Sequence, residues 1–160
     1  MKGDVSMTQR TGFVTQRRAI GDIVVDGLLS GLLAGAVMGI FLVAAGLIGG
    51  VGPGQTLGRF DPAGGGEPLT GALMHLAVSG LYGVGLALVL HGLSGRRVDW
   101  RRYGWLLGVG YGLVVWAVAQ YVLLPSLGVA LADLPPALFI AAHLIFGVAW
   151  GYVLGRHQPA

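Results

Sequence analysis

Cysteine is absent from all 160 residues. That excludes disulfides, thiolate metal sites, iron–sulfur clusters and cysteine nucleophiles. Charge is scarce: 11% of the residues are Asp, Glu, Lys or Arg, against about 25% in a soluble domain. No Ser-His-Asp set, carboxylate pair or HExxH motif is present, so hydrolytic chemistry has no obvious carrier. Proline is missing from the interior of every long apolar run, so none of these runs has to break as a helix.

What remains is apolar: 54% of the chain is hydrophobic. A core of this size cannot hide that much apolar surface from water, so the bilayer is the expected solvent. Four segments approach or exceed the roughly 20 helical residues a bilayer requires. They are Ile23–Ile48, Leu69–Leu90, Tyr103–Leu124 and Ala137–Leu154. Pro68 and Pro136 precede the second and fourth, where a missing N–H is harmless, and Pro125 follows the third. The sequence thus predicts an all-α, integral membrane four-helix bundle. Its parts are an N-terminal tail (1–22), a first hairpin (23–93), a basic loop (94–102), a second hairpin (103–155) and a short tail (156–160).

The basic residues are distributed unevenly. Lys2, Arg10, Arg17, Arg18, Arg96, Arg97, Arg101, Arg102 and Arg156 fall on one side of such a topology, and Arg59 alone on the other. Positive charge marks the cytoplasmic side. Both termini and the middle loop are therefore expected in the cytoplasm of a prokaryotic-type inner membrane. The net charge of +3 then reflects topology and contact with anionic lipid through Arg96, Arg97, Arg101 and Arg102, with no nucleic acid as partner. The first apolar run is too long for the core of a cleaved secretory signal. The outer segment "GGVGPGQTLGRFDPAGGGEP" reads as a flexible connector. Its glycines lack the lysine and the strand–helix context of a phosphate loop. The second outer segment, "PSLGVALADLPP", is expected to hold a short amphipathic turn.

The spans repeat. At an offset of 68 residues, Pro68, His75, Leu76, Tyr82 and Gly83 align with Pro136, His143, Leu144, Trp150 and Gly151. At an offset of 77, Gly27, Gly31 and Gly35 align with Gly104, Gly108 and Gly112. Two tandem helical hairpins follow, related by a pseudo-two-fold axis along the membrane normal. Gly27, Gly31, Gly35 and Gly39 form a small-residue stripe, as do Gly104, Gly108 and Gly112. In lipid such stripes let backbones approach closely. The neighbour is the other glycine helix, a helix of the same hairpin, or a second copy of the chain.

These His-Leu pairs, with the glycine-rich runs Gly27–Gly39 and Gly104–Gly112, resemble a group of small prokaryotic membrane proteins related to the YagU-like inner-membrane proteins. The resemblance covers most of the span region. It implies a four-span membrane fold and carries no activity with it.

Each histidine stands seven residues after the proline that opens its helix, about 10 Å below the outer end. Polar groups inside a bilayer face the bundle interior and find partners there. The leading reading is structural: neutral imidazoles bonded across helices to Ser79, Gln120 or each other. Such a site would tolerate asparagine at His75 better than leucine. A second reading makes His75 and His143 the axial ligands of one haem b, with Ser79 and Gln120 supporting them. A third is a metal ion or a proton relay, with zinc disfavoured because no acidic or thiol ligand lies in that layer. The function expected first is a non-enzymatic membrane component, acting as a homo-oligomer or as an accessory subunit of a larger assembly. The alternatives are a bis-histidine cytochrome and a small transporter or channel.

Overall fold

The computed structural model describes residues 19–93, 100–127 and 133–157, and every regular element among them is helical. In chain order these are α1 (Ile20–Ile48), α2 (Pro53–Gly58), α3 (Pro68–Leu93), α4 (Trp100–Val118), a π-helical stretch (Ala119–Leu123), α5 (Leu124–Leu127) and α6 (Pro136–His157). Four helical runs are long and apolar enough to cross a membrane: Ile20–Ile48, Pro68–Gly92, Arg102–Leu123 and Pro136–Val153. The chain is a multi-pass membrane protein on that ground. On α1 alone, Val25, Leu29, Leu33 and Ile40 stay exposed. Helices that are apolar all round suit a lipid surround.

Glycine decides which helices touch. α1 packs on α3, α4 packs on α6, and α1 also packs on α6. A Cβ on Gly27 would stand 2.9 Å from the Gly83 carbonyl oxygen, and one on Gly31 2.8 Å from the Gly83 Cα. One on Gly35 would collide with the Ser79 side chain. In the second pair, a Cβ on Gly104 would stand 3.0 Å from the Gly151 carbonyl oxygen. One on Gly108 would be 3.2 Å from the Gly151 Cα, and one on Gly112 3.4 Å from the Gly147 Cα. Each stripe is therefore taken up by the next long helix of its own chain.

Where the backbones part, larger side chains fill the centre. Ala34, Met38 and Leu42 from α1 meet Leu86 and Ala87 from α3 and Ala142, Phe146 and Trp150 from α6. A second cluster of Ala119, Leu124, Leu134 and Phe139 closes the end of the third span, with Trp116 against it.

Two sequence expectations are corrected. The first outer segment is no loose connector. α1 ends with Gly50 at φ +79°, and the Val51 N–H turns back to the Gly46 carbonyl at 2.8 Å. Pro53 then opens α2, whose Thr56 and Gly58 are buried. Gly58 abuts Gly66, and Gly71 of α3 abuts the Leu57 carbonyl, so only glycine fits at these crossings. The glycines expected to loosen the segment are what let it pack down.

The second correction concerns the third span, expected to be an unbroken helix ending before Pro125. The helix widens to π over Ala119–Leu123 and continues through Pro125 in α5. The Leu124 N–H reaches back to the Ala119 carbonyl. A proline inside a helix offers no N–H and presses on the carbonyl four residues earlier, here that of Tyr121. A wider turn before it relieves that pressure. The amphipathic turn expected within 125–136 falls mostly on residues 128–132, outside the described residues. So do Arg96 and Arg97 of the basic loop.

Candidate functional site

Between the outer segment, α3, the end of α4 and α6 lies a half-open chamber of about 140 Å³. Its wall includes Met38 of α1; Met74, His75, Val78, Ser79 and Tyr82 of α3; Val115 of α4; Phe139, His143 and Phe146 of α6; and Arg59, Phe60 and Pro62 from above. Both sequence-identified histidines thus border one space. His143 is 6% exposed, and His75 is half-buried.

Neither imidazole uses the side-chain partners expected for it. The His75 Nε2–H donates to the Gly35 carbonyl oxygen of α1 at 2.9 Å. The His143 Nδ1–H donates to the Phe139 carbonyl oxygen, one turn earlier in α6, at 2.8 Å. A carbonyl can only accept, which settles the bonded nitrogen as the donor in each ring. Ser79 instead donates to the His75 carbonyl oxygen at 2.7 Å, within its own helix. Gln120 is half-buried in the π-helical stretch and lines none of the chamber. The partners found are backbone carbonyls, one on the facing helix α1 where Gly35 brings the helices together and one within α6 itself.

Each imidazole also lies against one phenylalanine. Phe139 meets His143 edge-on with centroids 4.5 Å apart, and Phe60 meets His75 at 4.6 Å. Phe139 sits four residues before its histidine, and the position four before His75 is Gly71. That glycine admits the α2 backbone. A ring from the outer segment therefore stands over His75. The sequence reading missed Phe60 because the segment was read as unstructured. The Phe139–His143 spacing of four was a legible signal on a helix.

Above the chamber, Asp61 is 3% exposed. Its Oδ1 accepts the Ala63 N–H and its Oδ2 the Glu67 N–H, both at 3.1 Å. Those N–H groups, Glu67 first, hold its carboxyl below the ordinary value. The glycine loop is thus an anion cradle whose anion is the chain's own. Gly64 and Gly66, at φ +71° and +72°, make the wrap feasible, a backbone form that other residues rarely adopt. Arg59 borders the chamber. At the other end of the bundle, the Arg102 guanidinium lies 5.5 Å from the Tyr103 ring centroid.

α3 and α4 make little contact with one another, and the Tyr111 hydroxyl bridges them by donating to the Tyr82 carbonyl oxygen at 2.8 Å. Met74, 40% exposed, stands at the chamber's edge.

The site can be tested against the groups considered for it. No cluster of three metal-ligating side chains occurs among the described residues. A backbone bond at Nδ1 is the usual way to aim a histidine's Nε2 at a metal, so His143 is suitably oriented. In His75 the Nε2 is engaged with Gly35, which leaves Nδ1 as the nitrogen able to ligate. A drug-sized ligand takes roughly 300–1,000 Å³, and a haem is no smaller. A chamber of about 140 Å³ does not fit one between these rings.

No protein-family model, curated protein or solved structure matches the chain.

Proposed function

We propose that this protein is a non-enzymatic component of a prokaryotic-type cytoplasmic membrane whose working part is the chamber, a receptacle for an apolar molecule. The observation that carries this reading is the wall itself. It is built mainly of Met, Val, Leu and Phe side chains, and its two imidazoles are held by backbone carbonyls. A dry apolar cavity of about 150 Å³ is known to take up a small hydrocarbon. The protein works as a homo-oligomer or as an accessory subunit of a larger membrane assembly, with lipid as its constant partner.

Orientation and symmetry belong to the same proposal. Both termini and the basic loop face the cytoplasm, on the nine-to-one division of Lys and Arg. The two hairpins form a bundle about a pseudo-two-fold axis. Supporting this, Gly27 and Gly31 meet Gly83 while Gly104 and Gly108 meet Gly151, which reproduces the offsets of 77 and 68 residues in contacts. A kinship with YagU-like proteins is part of this proposal, on the pairs His75-Leu76 and His143-Leu144 and the runs Gly27–Gly39 and Gly104–Gly112, and adds no activity.

A cytochrome carrying haem b on His75 and His143 is the second reading, favoured only by the unengaged Nε2 of His143. A transporter or channel is the third. Against it stands the lack of an acidic side chain at mid-depth of any span in the sequence; the π-helical stretch Ala119–Leu123 beside the chamber is the one interruption among the described residues that favours it.

One experiment addresses all three readings: native mass spectrometry of the protein extracted mildly from membranes, with an absorption spectrum of the same sample. The reading expects a retained small amphiphile, a fixed copy number or fixed partner stoichiometry, and no Soret band. A stoichiometric Soret signal lost on substituting either histidine would overturn it.

A further inference from the structure

The chamber wall carries one formal charge, that of Arg59. This is also the one basic residue outside the cytoplasmic set. No acidic side chain pairs with it among the described residues, and Asp61 two residues on is engaged by the Ala63 and Glu67 N–H groups. Beneath it the wall is carbon-rich from Met74 down to Tyr82 on α3. Those nine residues, eight helical steps, span about 12 Å, about two-fifths of a hydrocarbon core roughly 30 Å thick. Met74, at the chamber's edge, is 40% exposed, and α3 and α4 make little contact with one another.

We propose that the chamber binds an anionic amphiphile of the outer leaflet, its acyl chain entering between α3 and α4 and its head paired with Arg59. This deepens the receptacle reading and rests on it. The volume of about 140 Å³ suits a segment of roughly six carbons by comparison with an apolar cavity that holds benzene. The rest of the chain continues into the bilayer through the gap. A neutral head offers the guanidinium no charged acceptor, so charge is what selects the ligand. A phospholipid and a free fatty acid share this chemistry.

The test is native mass spectrometry of the full chain in detergent with added dioleoylphosphatidylglycerol, neutral dioleoylglycerol or oleate. One phosphatidylglycerol or oleate should be retained per chain, and whichever is retained more tightly names the source. Dioleoylglycerol should be retained roughly tenfold less, the ordinary worth of a charge-assisted hydrogen bond. Arg59→Gln, which breaks no bond within the protein, should abolish the preference and leave the melting temperature unchanged. Ala119→Phe, which fills the chamber, should remove retention of all three; Val78→Phe serves if that variant does not fold. Equal retention of all three by wild type and Arg59→Gln, with loss in the filled variant, overturns the charge inference but spares the receptacle. Retention unaffected by filling overturns both.

Discussion

The Nε2 of His75 stands 2.9 Å from the carbonyl oxygen of Gly35, so an imidazole of α3 bonds the backbone of α1 where a glycine brings the two helices together. His143 bonds a carbonyl as well, through the other nitrogen and within its own helix. The pair is alike in position and different in chemistry. A glutamine amide reaches about as far as Nε2, and an asparagine amide about as far as Nδ1. His75→Gln and His143→Asn should therefore keep most of the wild-type stability. His75→Asn and His143→Gln should each lose about 1 kcal/mol, and the leucine variants at least as much. Thermal unfolding in detergent measures this. Equal tolerance of Asn and Gln at both positions would show that neither bond matters. Asparagine, expected from sequence to be tolerated at position 75 better than leucine, is shorter than the reach to Gly35 that Nε2 makes.

Glycines of one helix differ as well. Gly108 lies against Gly147 and Gly151 of α6, whereas a Cβ on Gly110 would meet nothing within 4 Å. Gly108→Ala should destabilise by about 1–3 kcal/mol through overpacking. Gly110→Ala should be neutral or stabilising by up to about 1 kcal/mol, since alanine is the better helix former. Gly31→Ala should behave like Gly108→Ala. None of these should change the oligomeric state at matched folded fraction, because both stripes are consumed inside the chain. A dimer lost on Gly31→Ala without loss of helix packing would contradict that.

The four spans were legible because apolar length is a direct property of sequence. The shared space of His75 and His143 was legible because proline-to-histidine spacing sets depth. The bonding partners were not, because a backbone carbonyl has no sequence signature: that of Gly35 is reached only through close helix approach, and that of Phe139 lies within the helix of His143. The packed outer segment was hidden for a similar reason. Gly58, Gly66 and Gly71 look like freedom in a sequence, and in the structure they are crossings. The π-helical stretch needed the effect of Pro125 on its preceding turn, which periodicity does not encode.

Topology is open to a direct check, since the chain has no native cysteine. A cysteine at exposed Ala63 should react with an impermeant maleimide from outside the cell. One at Val98, in the basic loop, should react only after the membrane is opened. The reverse pattern would invert the proposed orientation and place Arg59 at the cytoplasmic surface.

Acidity should release the outer segment. The Asp61 carboxyl titrates below its ordinary value of 3.8 because the Glu67 and Ala63 N–H groups favour its charged form. A group with a depressed folded pKa stabilises the fold above the unfolded value. That contribution fades as pH falls below about 3.8 and is gone once pH passes the lower folded value. Hydrogen exchange at the Ala63 and Glu67 amides, measured from pH 6 to pH 2.5 and corrected for intrinsic rates, should show protection lost in that window. Asp61→Asn should show weaker protection at pH 6 and no further loss on acidification. Because Phe60 adjoins Asp61 and covers His75, loosening the segment should also uncover the chamber.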